Sequence, residues 1–358
     1  MKNSYGFIGF LLFFSLSFVG IHLYCHSFIA RKIADWKHLR AFFLFLAFFS
    51  VFTMFLRRSF ESDFSRFLSL IGFIWMGSVL MLAFVFLTSD ILVLILKKYS
   101  ISQKIPAAAL VVFTFLFFFS LYKGLAPASV RKIEISGFSK KPLKIAFFSD
   151  MHADFEFREK LFFLSLDKAL TENPDFIVFG GDWLDPGFNI SREETEKINN
   201  IKIPKIAVLG NHEYYYGLDK SLDIYKKSGF NLLINSSLEF EDVNFIGLSD
   251  IKTSGINLEA ALKIIKENYK EGKANIILSH QPLYFKEISD FKKVIMLSGH
   301  VHRAQIFPFH IFVRLAYKYF YGLYERKGSF LYVTSGAGTW GPPMRLYSDS
   351  EVPLIYLK

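Results

Sequence analysis

The sequence predicts two parts that fold in different solvents: an all-α membrane region of about four helices, then an α/β domain on a mainly parallel sheet. Three observations carry this. Apolar runs of about 20 residues fill positions 1–126, with charge confined to short islands between them. From Leu143 onward the runs shorten to strand length and stop abruptly at polar residues. Segments of helical character separate those short runs. At 358 residues the chain exceeds one average domain, and roughly 215 residues beyond Lys140 suffice for a full core without disulfides or structural metal.

Four stretches, 7–29, 39–56, 67–88 and 105–126, are long enough to cross a bilayer. The first lacks the small-residue cleavage site of a secretory signal and three more follow it, so it reads as a retained anchor. Asp90 follows the third stretch and precedes a further apolar run at 91–96. It lies either at the interface or inside a helix that continues to Lys97, where a carboxylate would be a functional candidate. The net charge of +10, from 42 basic and 32 acidic residues, suits either nucleic acid or an anionic membrane surface. Arg31, Lys32, Arg57, Arg58, Lys97 and Lys98 flank the apolar stretches, which favours the membrane, and no nucleic-acid motif competes. Cys25, the sole cysteine, sits in an apolar run and says nothing about redox compartment. Four spans put the N-terminus and the C-terminal domain on one side. Lys and Arg out to Lys141 count nine there against seven opposite, a slight lean to the cytoplasm that leaves the side open.

Positions 127–142, with Pro127 and Gly137, read as a linker, and 143–358 as the α/β domain. Strand-like runs occupy 143–150, 175–182, 205–212, 274–280 and 294–300. Each is rich in Ile, Val and Phe without alternation, as expected of strands buried on both faces. Runs at 244–250 and 329–335 would help complete a second sheet. Helical segments at 162–171, 192–199 and 258–269 intervene, which implies parallel strands. Ligands of such folds bind beyond the carboxyl ends of the strands, and the polar clusters fall there. Of six histidines in this half, His152, His212, His280, His300 and His302 stand at strand ends, and only His310 lies elsewhere.

One strand-end histidine is more often structural than a ligand; five beside Asp150, Asp182 and Asn211 point to metal. Imidazole, carboxylate and amide oxygen suit Mn, Fe or Zn, and the donors are too many for one ion. Two metals about 3.5 to 4 Å apart, bridged by a carboxylate, would clamp the attacking and leaving oxygens of a phosphoryl group and supply a bridging hydroxide as nucleophile. Ser149, Ser279 and Ser298 then read as small residues at tight strand ends rather than nucleophiles.

Asp150-Met-His152, Gly181-Asp182-Trp-Leu-Asp185, Gly210-Asn211-His212-Glu213, His280 and Gly299-His300-Val-His302 together resemble the calcineurin-like metallophosphoesterase family. The resemblance covers about 143–358 and implies a four-layer αββα sandwich. It implies further that Asp150, His152 and His302 hold one divalent metal, Asn211, His280 and His300 the other, and that Asp182 bridges them. His212 matches the histidine that stabilises the transition state or protonates the leaving group, and Asp185 the acid that orients it.

The apolar spans and the tail from Gly336 to Arg345 resemble bacterial membrane phosphoesterases of the YkuE and YaeI type, some linked to phospholipid or lipid A precursor hydrolysis. That group has two glycines and a glutamine after the last motif; here Arg303 and Ala304 precede Gln305, so Arg303 could meet a substrate phosphate or lie solvated. The aromatic and basic run 306–327 reads as an interfacial segment, either a lip for acyl chains or a dock onto the membrane half. The expectation is a phosphoesterase in the bacterial inner membrane acting on a lipid-linked phosphoester or pyrophosphate. The alternatives are an anchored enzyme for soluble nucleotides and a non-catalytic membrane scaffold.

Overall fold

Long apolar helices precede the sheets, as the hydropathy pattern predicts. The computed structural model describes residues 2–60, 62–186 and 190–358, excepting the side chains of 2–14, Arg58 and Phe291. Helices α1 (Lys2–Lys32), α2 (Leu39–Ser59), α3 (Asp63–Ile95) and α4 (Ile105–Gly124) make up most of a first compact unit. Among the described residues three spans are long and apolar enough to cross a membrane: Leu39–Arg57, Asp63–Ile95 and Ser100–Gly124. The first expected span falls within α1, part of whose side chains lie outside the described set.

Helix α3 decides the question left by Asp90. It runs unbroken for 33 residues, about 50 Å at 1.5 Å per residue against a hydrocarbon core of about 30 Å. Asp90, near its C-terminal end, is neutralised from α1 by an ion pair with Lys32 and a 2.9 Å hydrogen bond from the Tyr24 hydroxyl. Ser62 and Ser65 close a reciprocal cap at the start of α3. Gly72 allows close approach of α2, because a Cβ there would collide with Thr53 Oγ1. Phe28 stacks on Phe86 at 4.0 Å within this unit's core. Two later segments, Ile306–Pro308 and Gly341–Leu346, also belong to it, with Ile306 and Met344 packed on Met81.

Among its described residues the second unit contains twelve strands: β1 (Ser129–Ile135), β2 (Leu143–Phe148), β3 (Phe176–Phe179), β4 (Lys205–Ala207), β5 (Asn231–Leu232), β6 (Ser236–Glu239), β7 (Val243–Gly247), β8 (Ala274–Leu278), β9 (Ile295–Ser298), β10 (Gly322–Arg326), β11 (Ser329–Val333) and β12 (Glu351–Leu357). They form two six-stranded sheets, ordered β1-β12-β2-β3-β4-β5 and β10-β11-β9-β8-β7-β6. Strands β2 to β5 are parallel, as are β11, β9, β8 and β7; antiparallel pairs occur at β12–β2 and at the edges β10 and β6. The helices are α5 (Glu156–Leu170), α6 (Arg192–Asn199), α7 (Asn211–Tyr216), α8 (Leu218–Lys227), α9 (Ile251–Ser254), α10 (Leu258–Asn268), α11 (Phe285–Phe291) and α12 (His310–Ala316).

Period-two alternation sends neighbouring strand residues to opposite layers. Phe147, Val178 and Val208 meet Phe245, Leu278 and Leu297 between the sheets. Phe148, Phe179 and Leu209 pack outward with Phe162 and Leu166, while Ile246, Ile277 and Met296 pack outward with Ile265 and Ile288. The outcome is the αββα sandwich, with both strand faces buried and hence no polar alternation to read.

Two expectations change. The stretch read as a linker contains β1, which pairs in parallel with β12 along its whole length. The run 306–327 is not one interfacial segment: α12 leaves Ile311, Phe312 and Leu315 exposed, but β10 pairs with β11 as a sheet edge.

On α5, Glu159 carries a pH prediction. Burial, reinforced by the hydrogen-bonded Glu194 carboxyl, pushes the Glu159 carboxyl up to about 9 from its ordinary 4.5. The folded chain keeps a proton that the unfolded chain releases, so stability falls as pH rises from 4.5 towards 9. Glu159→Gln is therefore expected to raise Tm by about 3 °C at pH 8 and hardly at all at pH 5. Melts of the detergent-solubilised chain at both pH values check this; a gain equal at the two would refute it.

Candidate metal centre

The loops leaving β2, β3, β4, β8 and β9 bring their polar residues together at the carboxyl edges of both sheets. Asp150 and His152 follow β2, Asp182 and Asp185 follow β3, Asn211 and His212 open α7 after β4, His280 follows β8, and His300 and His302 follow β9. Five of these, Asp150, His152, Asp182, His300 and His302, have φ between 47° and 71°. Non-glycine residues hold that left-handed conformation at about 1 kcal/mol or more each, strain that collects at functional sites. Gly210 and Gly299 permit the close approach: a Cβ on the first would strike the Asp182 carboxylate, and on the second the Asp150 carboxylate.

Two clusters result, Asp150 with His152 and His302, and Asp182 with His280 and His300. In the first, His152 Nε2 faces His302 Nε2 at 3.0 Å, and His302 Nε2 lies 3.4 Å from Asp150 Oδ1. In the second, His280 Nε2 is 3.0 Å from Asp182 Oδ2 and 3.3 Å from His300 Nδ1. Asp182 Oδ2 also reaches to 3.9 Å from His152 Nε2, which places this carboxylate between the clusters.

These donors fit divalent cations. Paired imidazole nitrogens at such distances need a proton or a cation between them. Burial pushes the Asp150 carboxyl up, a penalty that a neighbouring cation removes. Burial and the neighbouring His280 push His300 down to about 3, leaving the neutral imidazole that ligates metal. Asn211 Oδ1 is buried and accepts no hydrogen bond, as a ligand oxygen would. Ser149 Oγ and Ser279 Oγ donate to the carbonyls of Gly180 and Gln281, the structural role the sequence suggests.

A third cluster joins Asp185 to two histidines. Asp185 Oδ1 accepts from His212 Nδ1 at 2.7 Å and Oδ2 from His152 Nδ1 at 3.0 Å. Burial opposes ionisation of Asp185, but the two imidazoles outweigh it and hold the carboxyl well below the usual range. Burial also works against a charged His212, yet Asp182 and Asp185 raise it to about 9. With Nδ1 tied to Asp185, His212 turns Nε2 towards Asp182 Oδ2, 4.0 Å away. One carboxylate thus orients both a candidate ligand and a candidate proton donor.

The sequence profile of the calcineurin-like phosphoesterases matches residues 143–304. An uncharacterized metallophosphoesterase of Campylobacter jejuni is 31% identical over 372 residues, 97% of this chain and 96% of that protein. The chain belongs to the calcineurin-like metallophosphoesterases. A Helicobacter pylori metallophosphoesterase, also uncharacterized, is 31% identical over 251 residues, 67% of each chain. A Bos taurus transmembrane protein with metallophosphoesterase domain is 30% identical over 280 residues, 71% of this chain and 62% of that one. Three apolar helices and this transmembrane relative fit a membrane protein.

In this metallophosphoesterase several supporting residues escape sequence reasoning. Glu213 is fully buried and its carboxylate accepts the backbone N–H groups of Asp182, Trp183, Leu184 and Gly210 at 2.7 to 3.1 Å. It ties the loop after β3 to the loop after β4. Tyr317, with no motif to mark it, puts its hydroxyl 2.8 Å from His300 Nε2 and accepts from Lys252 Nζ at 2.9 Å. His280 Nδ1 bonds the Gly180 carbonyl at 2.8 Å, which fixes its ring. Arg303 stacks its guanidinium over Tyr321 and Tyr347 at 4.3 and 5.2 Å.

Proposed function

We propose that this chain is a dinuclear metallophosphoesterase of the bacterial inner membrane that hydrolyses a phosphoester or pyrophosphate bond in a lipid-linked substrate. One observation carries the catalytic part: Asp182, a member of one three-residue cluster, reaches to 3.9 Å from His152 of the other, while His212, oriented by Asp185, turns Nε2 to the same carboxylate oxygen. Asp150, His152 and His302 would hold one divalent ion, Asn211, His280 and His300 the other, with Asp182 shared. Bound there, such ions supply Lewis acidity and a nucleophile at neutral pH. His212, held in its charged form by Asp182 and Asp185, carries a proton at Nε2 for the leaving oxygen, and Asp185 fixes the ring orientation through Nδ1. His212 is not needed merely to retain metal, which favours an enzyme over a scaffold. A lipid-linked substrate is supported by the apolar helices and by exposed Phe309, Ile311, Phe312 and Leu315, which follow the last ligand pair. The lysine and arginine count leans the α/β unit to the cytoplasmic side.

His212→Ala is expected to keep both metal equivalents and lose about 10² to 10⁴-fold in kcat. Elemental analysis and phosphoester turnover read the two quantities. Lipid extracts from cells carrying only this variant should accumulate a phosphorylated lipid absent from cells with the intact chain. Full turnover in the variant would sink the catalytic role, and identical extracts the lipid substrate.

A further inference from the structure

Two large aromatic side chains beside His212 have no role in the chemistry above. Tyr215 and Trp340 approach the His212 ring edge-on, with centroids at 5.3 and 5.8 Å, yet remain 62% and 52% exposed. Single exposed aromatics need no explanation. A pair flanking the proton donor does, because walls that served only to pack His212 would bury their own faces.

Trp340 is also held in place by an unusual device. Gln305, itself buried, accepts from the Trp340 N–H at 2.9 Å and donates to the Trp340 carbonyl at 3.0 Å. To deliver that amide the chain turns left-handed through four consecutive non-glycine residues, His302, Arg303, Ala304 and Gln305, with φ of 48° to 56°. L-residues adopt this conformation at a cost, tolerated where the surroundings require it. The strained turn thus joins a candidate metal ligand at one end to the clamp on an exposed tryptophan at the other. Fixing the backbone that carries an exposed ring reduces what a ligand must order on binding.

We propose that Tyr215 and Trp340 form the subsite for the leaving group, and that this group carries a ring with a stacking face next to the leaving oxygen. The proposal rests on the reading of His212 as proton donor. As the bond from phosphorus to the leaving oxygen breaks, that oxygen takes the His212 proton, while the oxygen of water bonds to phosphorus and the proton it releases restores His212. The released alcohol therefore starts beside His212 and extends between the two rings. An aromatic ring stacks there through its π face and a saccharide ring through its C–H face, whereas an alkyl chain gains less. Trp340 and Tyr215 determine specificity; Gln305 is a positioning residue.

Non-hydrolysable phosphonates test this on the full-length, Mn-loaded chain in detergent. Benzyl, tetrahydropyran-2-ylmethyl and hexyl phosphonate are compared by calorimetry; the first two distinguish an aromatic from a saccharide ring. The better ring compound is expected to bind about 3- to 10-fold more tightly than the hexyl compound. That ratio should collapse to about 1 in Trp340→Ala, recover in part in Trp340→Phe, and drop in Gln305→Ala as the clamp is released. Equal affinity for ring and chain, absence of binding by all three, or a ratio unchanged in Trp340→Ala would overturn the subsite. A ring preference in binding without turnover of benzyl phosphate would instead overturn the hydrolytic reading and leave the subsite standing.

Discussion

Asp182→Asn is expected to lower kcat/KM by about 10³-fold and to reduce bound metal from two equivalents to one or fewer. Its Oδ2 lies 3.0 Å from His280 Nε2, 3.9 Å from His152 Nε2 and 4.0 Å from His212 Nε2, so three imidazoles from three strand-end loops converge on one oxygen. Its Oδ1 accepts the His212 N–H at 2.9 Å. An asparagine of the same shape can keep that backbone bond and the fold, but it removes the negative charge that lets two cations lie side by side. The variant should therefore melt close to the parent in chelator while binding less metal. Elemental analysis of the purified chain, beside turnover, gives the decisive readings. Two retained equivalents with activity within tenfold of the parent would exclude a bridging role for Asp182.

The candidate site is legible because burial on both faces makes each central strand an unbroken apolar run, and the residue that ends the run is conspicuous. Asp150, Asp182, Asn211, His280 and His300 each follow such a run, and β2, β3, β4, β8 and β9 lie where the runs predict them. Strand β1 is hard to read from sequence for the opposite reason. It is an edge strand with exposed Arg131 and Lys132, polar enough to pass for a linker. Its partner β12 lies more than 200 residues away, a pairing that no local pattern encodes. Residues 322–326 looked interfacial because an edge strand also mixes aromatic and basic side chains. The extent of α3 was ambiguous because Asp90 interrupts the hydropathy, whereas its neutralisation by Lys32 and Tyr24 is visible only in three dimensions. The same holds for Tyr317 and Gln305, which act through groups 17 and 35 residues away.

Glu213 shows how far a motif residue can differ from a ligand, and its replacement by alanine is expected to give the largest loss of stability in the α/β unit. The carboxylate is a hub: Oε1 accepts from Trp183 N at 2.8 Å, Leu184 N at 3.1 Å and the Tyr225 hydroxyl at 3.3 Å, while Oε2 accepts from Asp182 N at 2.9 Å and Gly210 N at 2.7 Å. Alanine would leave four buried N–H groups without an acceptor. Each unsatisfied buried group costs about 1 to 3 kcal/mol, and even partial relaxation leaves a loss of about 4 kcal/mol against a typical domain stability of about 5 to 15 kcal/mol. Glu213→Ala should lower Tm by about 10 °C or prevent folding. Glu213→Gln would not rescue it, since an amide NH₂ must face two of the N–H donors wherever it is turned. Both variants should lose metal binding in step with unfolding, because the hub holds the loops of Asp182 and Asn211 rather than the ions. Melting curves paired with metal content at each temperature distinguish this from a direct role. A Glu213→Gln chain that melts within about 2 °C of the parent yet has lost activity would move Glu213 from the scaffold into the chemistry.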